Sequence, residues 1–256
     1  MMEWKSTRGL LIDLDGTLIQ GNHPIDGAVE FIQQVVKLNI PFLYWTNNST
    51  RSPLSVARMM GQRGFAGDER NVYTSGIATA LWLTKELPGN PRVYVVGEPE
   101  LREVLVENGI RIVDSVNEKV DAVVVGLDRD VHFKKLSDAM AHLLDGALFI
   151  GTNPDHALVT KTGLVPGAGS LLALLERATK RVPYVIGKPN PQFVLSACER
   201  LNVSPHEVIV IGDNPETDVH AGRLAGAQTI WVKTGIQSEE AVSADLQIAS
   251  LRDLLD

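Results

Sequence analysis

The chain has 256 residues, long enough for one large domain or two modest ones, and its net charge of -7 argues against general nucleic-acid binding, which needs clustered lysine and arginine. Its single cysteine, Cys198, excludes an intrachain disulfide and a cysteine-based zinc site. Since no apolar stretch approaches the roughly 20 residues that span a bilayer, and no apolar signal segment precedes the first predicted strand, we expect a cytoplasmic protein without a membrane partner.

The first predicted strand ends in two carboxylates. Leu10-Leu11-Ile12 is an apolar run typical of a buried strand, and it is followed by Asp13, Asp15 and Gly16. Open parallel sheets bind ligands at the carboxyl ends of their strands, and glycine allows a sharp turn there. The pattern suggests that Asp13 attacks a substrate while Asp15 acts as acid and base. An Asp-Gly turn that simply closes a strand is the alternative for this segment alone.

Strand-like apolar runs then alternate with helical patterns, which predicts βαβ units and a parallel sheet. Up to residue 85, the predicted elements are a helix at 27–37, a strand at 40–45, a helix at 53–60, a strand at 72–74 and a helix at 77–85. Pro88-Gly89-Asn90-Pro91 is the clearest linker signal. A second series follows, with strands at 93–96, 122–125 and 148–150 and helices at 98–107 and 133–144. The last predicted elements are helices near 170–178 and at 191–201 and strands at 183–186 and 208–211.

Three of the later strands also end in polar residues. These residues are Thr46, Asn47 and Asn48 after 40–45, Gly187 and Lys188 after 183–186, and Gly212, Asp213, Asn214 and Asp218 after 208–211. The carboxyl ends of neighbouring parallel strands meet at one edge of a sheet. Four such endings, in the order nucleophile, hydroxyl donor, lysine and acidic pair, argue against coincidence.

These segments resemble the four motifs of the haloacid dehalogenase superfamily of phosphohydrolases. Asp13-x-Asp15-Gly16-Thr17 resembles the first motif, Thr46-Asn47-Asn48 the second, Lys188 the third, and Gly212-Asp213 with Asp218 the fourth. The chain is most similar to the NagD-like branch, subfamily IIA, which includes pyridoxal and phosphoglycolate phosphatases. The residues that indicate this branch are Thr46-Asn47-Asn48-Ser49, Tyr73-Thr74-Ser75, Val95-Val96-Gly97, Gly187-Lys188-Pro189 and Glu216-Thr217-Asp218.

The resemblance implies an α/β fold in which a Rossmann-like, doubly wound parallel sheet forms the catalytic core. An α/β cap domain of the C2 type is inserted between the second and third motifs of this branch. We predict the core at 1–80 and 182–256 and the cap at 81–181, because the second βαβ series contains none of the four motifs. The resemblance leaves open a homodimer formed through the cap.

The activity implied by the resemblance is Mg²⁺-dependent hydrolysis of a small phosphorylated metabolite through an aspartyl-phosphate. Asp13 would be the nucleophile, and Asp15 would protonate the leaving oxygen and then deprotonate the attacking water. Lys188 would place a positive charge against the phosphoryl group and Asp13. A Gly-Lys-Pro segment taken alone is more often a surface turn.

Oxygen ligands for Mg²⁺ are available in the same motifs. The carboxylates of Asp13 and Asp213 are candidate ligands, and the resemblance adds the backbone carbonyl of Asp15. Asn214 and Asp218 are expected just outside the ligands, with Asp218 orienting a bound water. The alternative role for Asp218 is to complement the dipole at the start of a helix.

Phosphate binding is expected from Thr46, Asn47 and Asn48 together with Lys188. The Thr46 hydroxyl and the Asn47 backbone amide would donate to the phosphoryl oxygens. Thr46 considered alone could equally cap the helix at 53–60 or sit in a turn.

The remaining candidates lie mainly in the predicted cap. Asn153, Asp155 and His156 follow the strand at 148–150, in a loop that faces the active site in related phosphatases, so we predict that they contact the substrate. The glycine-rich segment 163–170 lacks the spacing of a P-loop, and the histidines lack the spacing of metal ligands. Cys198 occupies an apolar helix position and is predicted to be a packed thiol.

Two other functions use similar residues. A phosphotransferase or phosphomutase would pass the phosphoryl group to a hydroxyl instead of water. A non-enzymatic receiver-like module would also carry an acceptor aspartate, a hydroxyl, a lysine and acidic metal ligands, but Asp15 and the inserted domain argue against it. The sequence does not choose among sugar phosphates, nucleotide monophosphates, phosphoglycolate and aryl phosphates.

Overall fold

The computed structural model describes residues 4–87, 89–160, 163–235 and 243–255, and it confirms the predicted α/β class. The strands are β1 (Gly9–Ile12), β2 (Ile19–Gln20), β3 (His23–Pro24), β4 (Phe42–Thr46), β5 (Val72–Thr74), β6 (Arg92–Val96), β7 (Arg111–Ile112), β8 (Ala122–Val125), β9 (Leu148–Gly151), β10 (Ala157–Thr160), β11 (Gly163–Pro166), β12 (Tyr184–Val185), β13 (Val208–Gly212), β14 (Gln228–Val232) and β15 (Leu246–Ile248). The helices are α1 (Ala28–Lys37), α2 (Pro53–Gly61), α3 (Ser75–Glu86), α4 (Pro99–Glu107), α5 (Phe133–Leu144), α6 (Ala168–Thr179), α7 (Pro191–Leu201) and α8 (His220–Ala225). Within the described ranges, no helix combines the length and apolar character needed to cross a bilayer.

The first of two compact units takes its described residues from Met1–Thr46, Pro53–Tyr73 and Lys188–Asp256. Its sheet has the order β15-β14-β13-β1-β4-β5, and β1 pairs in parallel with both β13 and β4. All four residues of β1 are buried, as expected for a strand covered on both faces. Because β13, β1 and β4 are adjacent and parallel, their carboxyl ends bring Asp213, Asp13 and Thr46 to the same edge of the sheet.

The second unit comprises Asn47–Ser52 and the described part of Thr74–Gly187. Its sheet has the order β12-β9-β8-β6-β7, and the neighbouring strands are parallel. Leu143 of α5 and Leu172 of α6 pack with sheet residues such as Val123 and Phe149 into one buried cluster. An antiparallel hairpin, β10 with β11, follows the loop after β9 and was not predicted.

The limits of the second unit differ from the predicted 81–181 at both ends. All of α3 packs in this unit, and so do residues 89–91 of the predicted linker, between α3 and β6, whereas Pro88 lies outside the described residues. At the other end, β12 had been expected in the catalytic core, but Tyr184 and Val185 pair with Ile150 and Gly151 of β9. An apolar run predicts that a strand forms, but it does not predict which strand it pairs with. Here Val185 packs against the buried cluster of the second unit.

Candidate active site

Lys188 connects two buried carboxylates in the first unit. Its Nζ donates to Asp13 Oδ1 at 2.5 Å and to Asp218 Oδ1 at 2.7 Å, and a longer bond of 3.3 Å reaches the carbonyl oxygen of Trp45. The side chains of Lys188, Asp13 and Asp218 are 4%, 9% and 1% exposed. Asp13 is placed by the central strand, because its amide extends the β1–β13 ladder by donating to Ile211 O at 2.9 Å. The structure therefore brings the predicted nucleophile and lysine together.

The charges of this cluster do not balance. Burial raises the pKa of Asp13 to about 7, against the lowering effect of Lys188 and with a further rise from Asp213. Burial also raises the pKa of Asp218 to about 6, again opposed by Lys188 and reinforced by Asp13. Burial disfavours the Lys188 ammonium, but the carboxylates of Asp13 and Asp218 outweigh it and raise the pKa of Lys188. One ammonium facing three buried carboxylates leaves negative charge that protons or a cation must neutralise.

Asp13, Asp213 and Asp218 offer carboxylate oxygens that lie within 4.8 Å of one another. The two oxygens of Asp218 accept from Lys188 Nζ and from the Asn214 amide at 3.0 Å, which suits the predicted place behind the metal ligands. Asn214 itself caps the π-helical turn Pro215–Val219 by accepting from the Glu216 amide at 3.0 Å. The donor set is all oxygen, buried and in negative excess, so it fits a hard divalent cation.

Two glycines flank the Asp213 carboxylate. A Cβ built on Gly16 would lie 2.6 Å from Asp213 Cγ, and one built on Gly235 would lie 2.5 Å from the same atom. Thr17 Oγ1 lies 3.3 Å from Asp213 Oδ1 and 3.4 Å from Asp13 Oδ2, and its single proton is shared between these two acceptors. Glycine is therefore required sterically at both positions, because any side chain would displace the carboxylate.

Asp15 differs from Asp13 in its surroundings. It is exposed, whereas Asp13 is buried. The chain turns at once after Asp15, because Gly16 has a φ of 90° and its amide donates to Ile19 O at 2.8 Å. One buried and one exposed carboxylate two residues apart agree with the distinct roles predicted for them.

In the second unit, Asn47 is held by residues from two distant segments. Its carbonyl oxygen accepts from Ser75 Oγ at 2.6 Å and from Asn153 Nδ2 at 2.9 Å, and its Nδ2 donates to Asp155 Oδ1 at 3.1 Å. The structure thus joins Asn47 to two of the three predicted substrate residues. The third, His156, is exposed.

The predicted phosphate-binding residues Thr46 and Asn48 have different environments. Thr46 is buried at the end of β4 in the first unit. Asn48 belongs to the second unit, where its Oδ1 accepts from the amide and the hydroxyl of Thr50 at 2.8 Å each. Their contact with phosphate stays a prediction.

Sequence reasoning missed two residues of these clusters. The buried ring of Trp45 lies 4.6 Å from Lys188 Nζ, a cation–π geometry, and its Nε1 has no hydrogen-bond partner among the described residues. Ser75 is the other, because the sequence analysis quoted it in Tyr73-Thr74-Ser75 without giving it a role in the site. The available signals were the position of Trp45 directly before Thr46 and the membership of Ser75 in a quoted segment.

Comparison with known proteins agrees with these motifs. The sequence profile of haloacid dehalogenase-like hydrolases matches residues 10–111, and a HAD-hydrolase-like profile matches residues 185–254. An acid sugar phosphatase of Staphylococcus saprophyticus is 39% identical over 238 residues, covering 93% of this chain and 91% of the relative. The 5'-nucleotidase YutF of Bacillus subtilis is 37% identical over 243 residues, covering 95% of this chain and 93% of the relative.

A solved structure extends the likeness to the fold. The glycerol phosphate phosphatase Rv1692 of Mycobacterium tuberculosis, in complex with magnesium, superposes with a TM-score of 0.90. The two chains are 34% identical, and the match covers 97% of this chain and 76% of the other.

Proposed function

Because this chain belongs to the haloacid dehalogenase-like hydrolase family and is a phosphoric monoester hydrolase, we propose that it uses Mg²⁺ and an aspartyl-phosphate on Asp13 to hydrolyse a small phosphorylated metabolite. The observation that carries the proposal is the buried cluster in which Lys188 bridges Asp13 and Asp218 beside Asp213. A non-enzymatic receiver-like module does not agree with membership in a hydrolase family.

We propose Asp13, Asp213 and the backbone carbonyl of Asp15 as the residues that hold Mg²⁺. When bound, the cation supplies positive charge beside the transferring phosphoryl group. We place Asp218 behind these ligands because Lys188 and the Asn214 amide bond its two oxygens at 2.7 Å and 3.0 Å, whereas the bond from Thr17 to Asp13 Oδ2 is a long one of 3.4 Å. Magnesium in the relative Rv1692 supports the choice of cation.

The chain's own residues carry the two half-reactions. In the first, a carboxylate oxygen of Asp13 bonds to phosphorus, the ester P–O bond breaks, and Asp15 gives its proton to the leaving oxygen. In the second, Asp15 takes a proton from water, the water oxygen bonds to phosphorus, and the Asp13–phosphate bond breaks. Lys188 holds Asp13 throughout and opposes the negative charge of the phosphoryl group.

Asp15→Asn is expected to lower kcat by about 10²- to 10⁴-fold, because the amide can neither give nor take the proton. The exposed position of Asp15 predicts an unchanged fold. Rapid-quench kinetics should show that both the formation and the hydrolysis of the phosphoenzyme slow down. A change confined to KM would contradict the acid and base role.

The pH dependence of metal binding follows from the buried carboxyls. In the metal-free protein the pKa values of Asp13 and Asp218, about 7 and about 6, lie above the usual 3.8 of an aspartate. Below about pH 4 both carboxyls are protonated, and their raised pKa values add to the free energy of unfolding. This added stability is lost as the pH rises to about 7 and the carboxyls ionise in the folded state. Mg²⁺ competes with these protons, so its stabilising effect should grow across the same interval.

Thermal unfolding with EDTA and with Mg²⁺ at several pH values tests this expectation. The Mg²⁺-induced rise in Tm should be larger at about pH 8 than at about pH 5. Ca²⁺, which prefers a looser geometry with more ligands, should also raise Tm but should not sustain turnover. A Mg²⁺ effect that is equal at all pH values would contradict the proposed ligands.

The substrate class is proposed only at the level of small phosphate monoesters. The similar proteins are named for sugar phosphates, nucleotides and glycerol phosphate, so their names do not converge on one metabolite. We propose the second unit as the cap that selects the substrate, with Asn153, Asp155 and His156 as its candidate residues; a homodimer through this unit stays a prediction.

A screen of phosphorylated metabolites with Mg²⁺, followed by phosphate release, tests the function. It should include sugar phosphates, nucleoside monophosphates, glycerol phosphate, phosphoglycolate and p-nitrophenyl phosphate. Release of phosphate from none of them would overturn the proposal. Transfer of the phosphoryl group to an added sugar, in preference to water, would favour a phosphotransferase.

A further inference from the structure

Asn47 is fixed at both its backbone and its side chain. The carbonyl oxygen accepts two hydrogen bonds, from Ser75 Oγ and Asn153 Nδ2, and the side-chain amide donates to Asp155. Ser75 is fully buried and Asn153 is 5% exposed, so water competes little for these bonds. All four residues belong to the second unit.

The donors are themselves rigidly placed. Ser75 is the first residue of α3, where Thr74 caps the helix by accepting from the Ile77 amide at 3.2 Å. Asn153 is fixed within its loop, because its Oδ1 accepts from the Asp155 amide at 3.2 Å. Thr152, the residue before Asn153, accepts from the Gly187 amide at 2.9 Å through its carbonyl. The loop therefore binds the residues that immediately follow Thr46 and precede Lys188 in the chain.

We propose that Ser75 and Asn153 are positioning residues that act on the phosphoryl group through the backbone of Asn47, an inference that rests on the proposed function. Two bonds to the carbonyl and one to the side chain restrict the backbone rotations of Asn47. The bonds to the carbonyl fix the 47–48 peptide plane, and φ and ψ of Asn47 connect this plane to the Asn47 amide N–H, the proposed donor to the transferring oxygens. Restricting these two rotations therefore limits the directions in which that N–H can point. Preorganised donors of this kind act most strongly on the transition state.

This role differs from direct substrate selection by the loop. The polar atoms of the Asn153 side chain are engaged with Asn47, Thr152 and Asp155. A residue that orients a phosphate donor affects every phosphate ester alike, because all substrates share the phosphoryl group. A residue that contacts the leaving group affects substrates unequally.

The test compares Ser75→Ala, Asn153→Ala and the double variant with Thr79→Val as a matched control. Thr79 is also a buried hydroxyl of α3, and its Oγ1 donates to Ser75 O at 2.7 Å. Thermal midpoints measure the structural cost of each change. The kinetic readouts are kcat and KM for p-nitrophenyl phosphate and glycerol phosphate, and inhibition constants for orthovanadate, a transition-state mimic, and inorganic phosphate.

Each single variant should lower kcat/KM by about tenfold, which is less than the roughly 10²- to 10³-fold loss of a whole donor, and the double variant should lower it by about 100-fold. The loss should fall on kcat, be equal for both substrates, and be matched by weaker vanadate inhibition with little change for phosphate. Thr79→Val should keep its kinetics even if its thermal midpoint falls. Unchanged kcat and vanadate inhibition in Ser75→Ala and Asn153→Ala, or unequal losses on the two substrates, would overturn the inference.

Failure of the inference is distinguishable from failure of the function. If the unmodified protein hydrolyses phosphate esters and the variants keep full activity, only the positioning role is wrong. If the unmodified protein hydrolyses none of them, the proposed function is wrong and the positioning role fails with it.

Discussion

Asp13→Asn is expected to abolish turnover, with a loss on the order of 10⁴- to 10⁶-fold, because the amide neither attacks phosphorus nor binds Mg²⁺ well. The same change should not destabilise the metal-free protein at about pH 8. It removes a carboxyl whose pKa is raised to about 7 by burial, and Asp218 still pairs with Lys188. Steady-state kinetics and thermal unfolding in EDTA measure the two effects.

Asp114→Asn is a suitable control for this substitution. Asp114 makes the same kind of ion pair, with Arg102, but its side chain is 76% exposed. The control should keep full activity and its Mg²⁺-induced rise in Tm, whereas Asp13→Asn should lose most of that rise. Substantial turnover in Asp13→Asn would rule out the aspartyl-phosphate.

Lys188→Met should combine a large loss of activity with a large loss of stability. The apolar side chain fills similar space but leaves the buried carboxyls of Asp13 and Asp218 without their ammonium partner. Breaking a buried pair in this way typically costs about 3–5 kcal/mol of unfolding free energy. Activity should fall by about 10²- to 10³-fold, as for other groups that oppose charge in the transition state.

The pH dependence of that stability loss identifies its cause. Without Lys188, the pKa values of Asp13 and Asp218 rise further, because the group that lowers them is gone. The destabilisation should therefore be full near about pH 8 and decrease as the pH falls and the carboxyls take up protons. Urea unfolding in EDTA at several pH values measures it.

Lys135→Met is the matched control, because Lys135 Nζ bonds Asp128 Oδ2 at 2.6 Å with a lysine side chain that is 24% exposed. Its lysine is more open to solvent, although Asp128 is only 3% exposed, and the substitution removes one ion pair where Lys188→Met removes two, so its stability should fall less and its activity should persist. Equal losses in the two variants, or an active Lys188→Met, would refute the role of Lys188.

The sequence predicts the strands that are marked by apolar runs and the polar motifs that follow them. The run before Asp13 is apolar throughout, so a buried β1 followed from the residues themselves, and the motif order led to the cluster with Lys188 and Asp213. The partner of β12 did not follow, because Tyr184 and Val185 would make a plausible strand in either sheet. The bonds that Ser75 and Asn153 make to Asn47 join residues 28 and 106 positions apart, and no local pattern encodes such contacts.

Two of the chain's four tryptophans contact the proposed metal and phosphate cluster. The Trp45 ring lies 4.6 Å from the Lys188 ammonium, and Trp231 Nε1 donates to the carbonyl oxygen of Asp213 at 2.9 Å. Indole fluorescence responds to nearby charge. Trp45 therefore reports on the positive charge of Lys188, and Trp231 reports on the negative charge of Asp213. Cation binding and carboxyl titration can thus be followed in the unlabelled chain, with Trp4 and Trp82 as the background signal.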